Sequence, residues 1–205
     1  MTTLAADDPD ALMQAIALLD AGELVVVPTG ASYALACDAL HEDALARLFR
    51  AKQRGADQAI PLALGGFEEI SQVAFPTPLA RELAESFWPG DVALVLRARP
   101  FLPQALTGNG ETVALRCPTH PFPRELARRF GPLALTSARR PGGAAALTLR
   151  EAREAVGSDA RLFLDGGAGK LAPLTVVDAS GDAANVLREG HVGAAEVEGH
   201  GFRRR

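Results

Sequence analysis

Lysine is nearly absent from this chain. Of 21 basic residues, only positions 52 and 170 are lysine, and arginine supplies the rest. A G+C-rich genome accounts for such a skew without any functional cause. It still makes Lys52 a position to follow, because arginine does not replace lysine where a compact point charge is needed. Cysteine is equally scarce. Cys37 and Cys117 stand alone, with no Cys-x-x-Cys spacing, which excludes a disulfide framework and a zinc site by pattern. No apolar run approaches the roughly 18 residues of a membrane span. The opening MTTLAADDPD is acidic, unlike a secretory or transit peptide, so the expected location is the cytoplasm. A net charge of −4 argues against bulk nucleic-acid binding while leaving room for a local basic groove. No Pro/Gly/Ser-rich linker divides the chain and no repeat is visible, so residues 1–205 are expected to form one domain.

Hydrophobic residues make up 48% and charged residues 22%, the balance of a globular protein. Asp8 to Asp20 reads as a helix, with Leu12, Ile16 and Leu19 on one apolar face and Gly22 as its stop. Glu23 to Val27 is a short apolar, β-branched run typical of a strand buried on both faces. Thr29 to Ala36 is read as a loop leading into a second short strand. Helices are expected over Asp43–Ala51, Phe67–Val73, Leu79–Phe87, His120–Phe130 and from Thr148 to Val156. Strands are expected at Ile60–Leu64, Asp91–Arg99, Thr112–Arg116, Leu133–Thr136, Arg161–Leu164, Leu174–Asp178 and Asn185–Arg188. Residues 198–205 are expected to be a disordered basic tail. Strands alternating with helices define an α/β class, and the late strand pairs point to a mixed sheet. In such folds ligands sit in loops at strand ends. The candidate loops are Pro28–Ser32, Arg116–His120, Ser137–Gly143 and the segment around Leu174.

Several short patterns carry chemistry. Lys52-Gln53-Arg54 follows a helix, where cations either cap the negative end of the macrodipole or clamp an anion. Arg116 ends an apolar strand, where an unpartnered charge is expensive. Ser137 sits where a strand leaves the sheet, a place where a hydroxyl and backbone N–H groups bind phosphate, and Arg139 and Arg140 add positive charge beside it. His120-Pro121 reads as a structural helix start. Asp165-Gly166-Gly167-Ala168-Gly169-Lys170 is a turn and not a P-loop, because leucine stands at 164 and at 171. Gly30-Ala31-Ser32-Tyr33-Ala34 lacks the closing glycine of a nucleophile elbow.

Together these pieces resemble the YrdC-like family, whose characterised enzymes are threonylcarbamoyl-AMP synthases. The matching order is Val26-Val27-Pro28-Thr29, Cys37-Asp38, Lys52-Gln53-Arg54 with Asp57, and Phe87-Trp88-Pro89-Gly90. It continues through Val113-Ala114-Leu115-Arg116 with His120-Pro121, Thr136-Ser137-Ala138 with Gly142, and Leu187-Arg188-Glu189-Gly190, covering about Asp10 to Val192. The resemblance implies an open, twisted mixed sheet with flanking helices and a large concave basic cleft. It implies a nucleotidyltransferase that joins L-threonine, bicarbonate and ATP, with Mg²⁺, into threonylcarbamoyl-AMP and diphosphate for tRNA modification. By the resemblance, Lys52 and Arg54 are catalytic and hold nucleotide phosphates. Thr112, Ser137 and Arg188 bind ATP, Thr29 and Arg116 bind substrate, and no side chain is assigned to a metal.

The chain departs from the family pattern at Gly30, Ala34, Ala36, Gly55, Arg139, Pro141 and Leu174. These positions usually hold an acidic residue, two glycines, a proline, an asparagine, a hydroxyl residue and a serine. The departures keep two other readings open. One is a catalytically degenerate paralogue that binds nucleotide, tRNA or double-stranded RNA, with Arg139, Arg140 and the Arg203–Arg205 tail as its basic contacts. The other is an enzyme for a different amino acid, with Leu174 making an apolar corner.

Overall fold

A computed structural model describes residues 1–53, 55 and 58–200. Ten strands form one mixed sheet: β1 (Thr2–Ala5), β2 (Val25–Pro28), β3 (Tyr33–Asp38), β4 (Leu62–Ala63), β5 (Val92–Arg97), β6 (Thr112–Arg116), β7 (Leu133–Ser137), β8 (Leu162–Asp165), β9 (Thr175–Asp178) and β10 (Asn185–Arg188). Their spatial order is β1-β8-β2-β3-β7-β4-β6-β5-β9-β10. Pairs β1/β8, β8/β2, β4/β6 and β5/β9 are parallel, and the others are antiparallel.

The helices are α1 (Ala11–Asp20), α2 (Glu42–Ala51), α3 (Ile70–Val73), α4 (Pro78–Phe87), α5 (Gln104–Thr107), α6 (Pro121–Phe130), α7 (Leu149–Val156) and α8 (Ala194–His200). Their ends follow local chemistry. Gly22, at φ 69°, stops α1, and the Gly22 and Glu23 N–H groups return to the Leu19 and Leu18 carbonyls. His41 accepts from the Ala44 N–H at the start of α2, and Thr77 accepts from the Ala80 N–H at the start of α4. Thr148 and Glu151 close a capping box on α7.

Alternation along the strands sorts the core into two layers. Tyr33, Leu35 and Cys37 join a large layer built with α2, α4, α7 and α8. Ala34 and Ala36 face the opposite way, into a smaller layer with Val25, Val27, Leu133 and Leu135, under α1 and α6. Helix α1 buries Ala11, Ala15 and Leu19, with Leu12 and Ile16 at the flanks, so its inward stripe is rotated from the expected one. Alanines on both sides let that helix lie close to the sheet. The two family glycines replaced at positions 34 and 36 therefore fall in core packing.

Some expectations needed revision. Residues 2–5 form the edge strand β1, paired parallel to β8, although an exposed four-residue strand carries no alternating pattern to read. Strand β3 begins at Tyr33, inside the stretch expected to be loop. The strand expected over Ile60–Leu64 is reduced to β4, although its ladder continues through Leu135 N–H to Pro61 and Leu64 N–H to Arg116. Residues 198–200, expected to be disordered, belong to α8, which buries Val197 beside α4. Residues 201–205, with Arg203–Arg205, lie outside the described residues.

The capping box gives a direct test. Thr148→Ala should lower stability by about 1 kcal/mol in denaturant titration. Backbone N–H groups of Leu147 and Thr148 hold the Glu151 carboxyl below the usual carboxylate range. Because the folded value is depressed, this contribution is present at neutral pH and fades as pH falls through it. Glu151→Gln should accordingly flatten the acid side of the stability–pH profile.

Candidate functional site

Helices α1 and α6 cover one sheet face only as far as β4. Past that point the same face continues along a row of cross-strand partners: Ala63 to Arg116, Arg116 to Ala93, Ala93 to Val176 and Val176 to Arg188. Partners in a row share a face, so Arg116 and Arg188 project to one side, three strands and about 14 Å apart. Small Ala93 and Val176 lie between them. A cavity of about 730 Å³ opens here, within the range of small-molecule sites. Its walls are the turn at Ala31–Ser32, the end of α2 at Lys52–Gln53, the loop after β7, and the segment from Leu171 to Leu174. Lys52, Arg116, Arg139, Arg140 and Arg188 line it, and Glu189 is the single carboxylate that does so among the described residues.

Lys52 resolves the choice between helix cap and clamp. Its backbone N–H caps α2 by donating to Leu48, while its nearly buried side chain runs to another part of the chain. The ammonium donates to the Ser137 carbonyl at 2.8 Å and to the Arg139 carbonyl. It thereby ties the end of α2 to the turn where β7 leaves the sheet. Arg54 lies outside the described residues.

Among the described residues three buried side-chain atoms lack a hydrogen-bond partner; one is the Arg124 Nε, away from the cavity, and the other two, the Arg116 Nε and the Ser137 Oγ, belong to residues on its wall. Burial depresses the Arg116 guanidinium to about 10, with Asp91 partly offsetting the shift. It therefore remains protonated at neutral pH. Unpaired buried polar atoms cost on the order of 1–3 kcal/mol each, so native structures keep few of them without a reason.

The remaining arginines are partly engaged. Arg188 donates to the Leu174 carbonyl at 3.3–3.4 Å, Arg139 to Gly143 at 2.8 Å, and Arg140 to Glu154 at 3.1 Å. Carbonyls accept without neutralising charge, so these side chains still present positive potential.

Two expected site residues do not line the cavity. Thr112 shares the face of Arg116, four residues along β6, about 13 Å away. Thr29 is buried, and its hydroxyl closes its own turn by donating to the Ser32 carbonyl at 2.7 Å. Its carbonyl accepts from the Thr119 hydroxyl at 3.2 Å and from the His120 N–H at 3.3 Å. His120 is structural as expected, its Nδ1 accepting from the Phe122 N–H at the start of α6. Sequence reading missed Leu171 and Gln53 as lining residues. Nothing in their residue types marks them, because the strap from Asp165 to Leu174 reaches the site only in three dimensions.

That strap is stitched to the Thr29–Tyr33 segment. Gly169, Lys170 and Leu171 N–H groups donate to Leu147, Gly30 and Ala31, and the Tyr33 hydroxyl donates to the Gly167 carbonyl at 2.8 Å. Burial, as the main cause, pushes the Tyr33 phenol up to about 12.

Cys37 and Cys117 are both free and buried, with thiols pushed up by desolvation. Among the described residues no cluster of His, Cys, Asp or Glu could hold a metal, and no helix is long and apolar enough to cross a membrane. With Glu189 as their only lining carboxylate, the described residues do not build a Mg²⁺ site in the cavity. A second cavity, about 820 Å³, lies between β1, α1 and α6. Asp7, Asp8, Glu125 and Asp165 line it without any Lys or Arg, so it does not suit an anion.

An α/β sheet with a half-covered face and a cation-lined cleft at its strand ends has the chemistry to take an anion. Residues 17–190 match the Sua5/YciO/YrdC family model, described as "Telomere recombination". The chain belongs to that family. It is 36% identical over 188 residues to a protein of Mycobacterium tuberculosis, spanning 91% of this chain and 87% of that one. It is 34% identical over 182 residues to the threonylcarbamoyl-AMP synthase of Pyrococcus abyssi, over 86% of this chain but 53% of the relative. The structure of P. abyssi Sua5 complexed with L-threonine superposes with a TM-score of 0.86 at 31% identity, covering 92% of this chain and 56% of that one. The chain thus spans little more than half of the Pyrococcus protein.

Gly30, one of the departures, is explained by packing. Its φ is 93°, and a Cβ there would stand 1.9 Å from the Thr119 Oγ1. Gly30→Ala should therefore destabilise the protein by roughly 1–3 kcal/mol. Adding Thr119→Ala should recover part of that loss, leaving the backbone strain, as read by thermal melts of the single and double variants.

Proposed function

We propose that the chain is a threonylcarbamoyl-AMP synthase, joining L-threonine, bicarbonate and ATP and releasing diphosphate. The observation that carries this reading is the cavity that, among the described residues, sets five cationic side chains against one carboxylate, with Arg116 and Ser137, whose Nε and Oγ are buried without a partner, on its wall. Forming an adenylate brings an anionic oxygen onto the α-phosphorus and expels diphosphate, so it needs positive charge and preorganised donors. In this reading Arg116 holds the carboxylate of the amino acid. Arg188, Arg139 and Arg140 face the phosphates, and the Ser137 hydroxyl donates to a phosphoryl oxygen. Lys52 keeps Ser137 and the following loop in place through their carbonyls, bringing its own charge to the same wall. Arg54 joins the phosphate-binding group by family resemblance alone. Thr112, farther along the same face, is within reach of the other end of a nucleotide. Thr29 acts through the turn it closes. Any Mg²⁺ would arrive bound to the nucleotide phosphates, and no step is assigned to it.

The assay is diphosphate release with L-threonine, bicarbonate and ATP. Turnover above that of a Lys52→Ala protein is expected, and equal signals from the two would refute the proposal. Arg116 gives a second test. At pH 7 its desolvated charge opposes folding, an effect that begins to fade only as pH rises through about 10. A bound anion relieves it at neutral pH. Arg116→Met should keep or raise the melting temperature of the ligand-free protein while shrinking the stabilisation that ATP and threonine confer.

A further inference from the structure

Three residues other than glycine have a left-handed backbone among the described residues: Gln53 (φ 46°), Asn109 (φ 65°) and Leu171 (φ 48°). Asparagine is at home there, because its short polar side chain tolerates the conformation. Gln53 and Leu171 are not, and both line the basic cavity. For leucine the conformation is costly and persists only where the surroundings impose it. The surroundings do so here. Lys170 and Leu171 N–H groups donate to the Gly30 and Ala31 carbonyls at 3.1 and 2.9 Å, and the Gly169 N–H donates to Leu147 at 2.7 Å. Gly169 lies so near the facing turn that a Cβ on it would meet the Ala31 carbonyl at 2.6 Å.

The side chain held in this way gains little packing in return, since Leu171 is 59% exposed. Core stability therefore does not account for it. What the conformation does achieve is to place a large apolar side chain on the wall of a cavity that also carries Lys52 and four arginines, with Leu135 and Leu174 on the same lining.

We propose that Leu171 is a ligand-contact residue, the apolar cover over a ligand that offers an anionic group to the Arg116 side and an apolar face to the strap. The proposal rests on the anion-binding reading of the cavity. Two sources could supply the apolar face, the nucleobase of ATP and the side chain of the amino acid.

The test compares the full chain with Leu171→Gly and Leu171→Asn. Glycine removes both the backbone penalty and the side chain. Asparagine tolerates the backbone but withdraws the apolar surface. Both variants should melt no lower than the wild type without ligand, with Leu171→Gly higher. Calorimetric titration should show either ATP or L-threonine binding weakened roughly fivefold or more, as expected for losing a contact of a few carbon atoms. Diphosphate, which has no apolar face, should bind all three proteins alike. Weakening of ATP alone identifies the base as the covered group, and weakening of threonine alone identifies the amino-acid side chain. Variants that bind ATP and threonine as the wild type does would overturn the role of Leu171 while leaving the cavity reading intact. A wild type that binds neither ATP nor diphosphate would overturn the cavity reading, and this proposal with it.

Discussion

Two helices cannot cover one face of ten strands. At about 4.8 Å between neighbours the sheet is roughly 43 Å across, while each helix with its side chains is about 10 Å wide. Helices α1 and α6 therefore cover β1, β8, β2, β3, β7 and β4 at most, and the face of β6, β5, β9 and β10 is left without a helix. The opposite face has no such gap, because α2, α4, α7 and α8 contribute to its larger core layer. The cleft follows from this imbalance. Arg116 lies at its boundary, one strand beyond the last that α6 covers.

The cavity wall is also where groups unfavourable to folding collect. A guanidinium with a buried, unpartnered Nε opposes folding, and so does a leucine held in a left-handed conformation. Both are on the cavity wall, and both are held by the backbone hydrogen bonds around them. Strand β6 holds Arg116, and the stitched strap holds Leu171. Lys52 works in the opposite sense. Its ammonium ties α2 to the turn after β7, so the charge that serves the cavity also fixes its shape. Removing Lys52 would disturb shape and charge together.

The departures from the family pattern do not form one group. Ala34 and Ala36 pack beneath α1, and Gly30 makes room for Thr119; none of these three lines the cavity. Arg139, Pro141 and Leu174 do line it. Arg139 is folded back onto the Gly143 carbonyl within its loop, which moderates the bulk it adds. Leu174 remains the substantive change, since it presents an apolar side chain while its carbonyl holds Arg188.

Much of this protein could be read from the order of its residues. Apolar runs located most of the strands, spacing and caps located most of the helices, charge or a hydroxyl at a helix or strand end marked Lys52, Arg116 and Ser137, and family resemblance added Arg188; all four line one cavity. Those signals are local, because burial pattern, turn chemistry and charge at a strand end are written within a few residues. Tertiary structure alone decided the rest. Strand β1 exists because β8 offers it an edge, and α8 because Val197 finds a buried site. Thr29 left the cavity lining because its hydroxyl is satisfied within its own turn. Leu171 entered it because a glycine-rich segment more than a hundred residues later in the chain is hydrogen-bonded across Gly30 and Ala31. Whether a polar atom has a partner, and which side chain a distant strap brings to a cavity, depends on contacts between remote segments that no local pattern encodes.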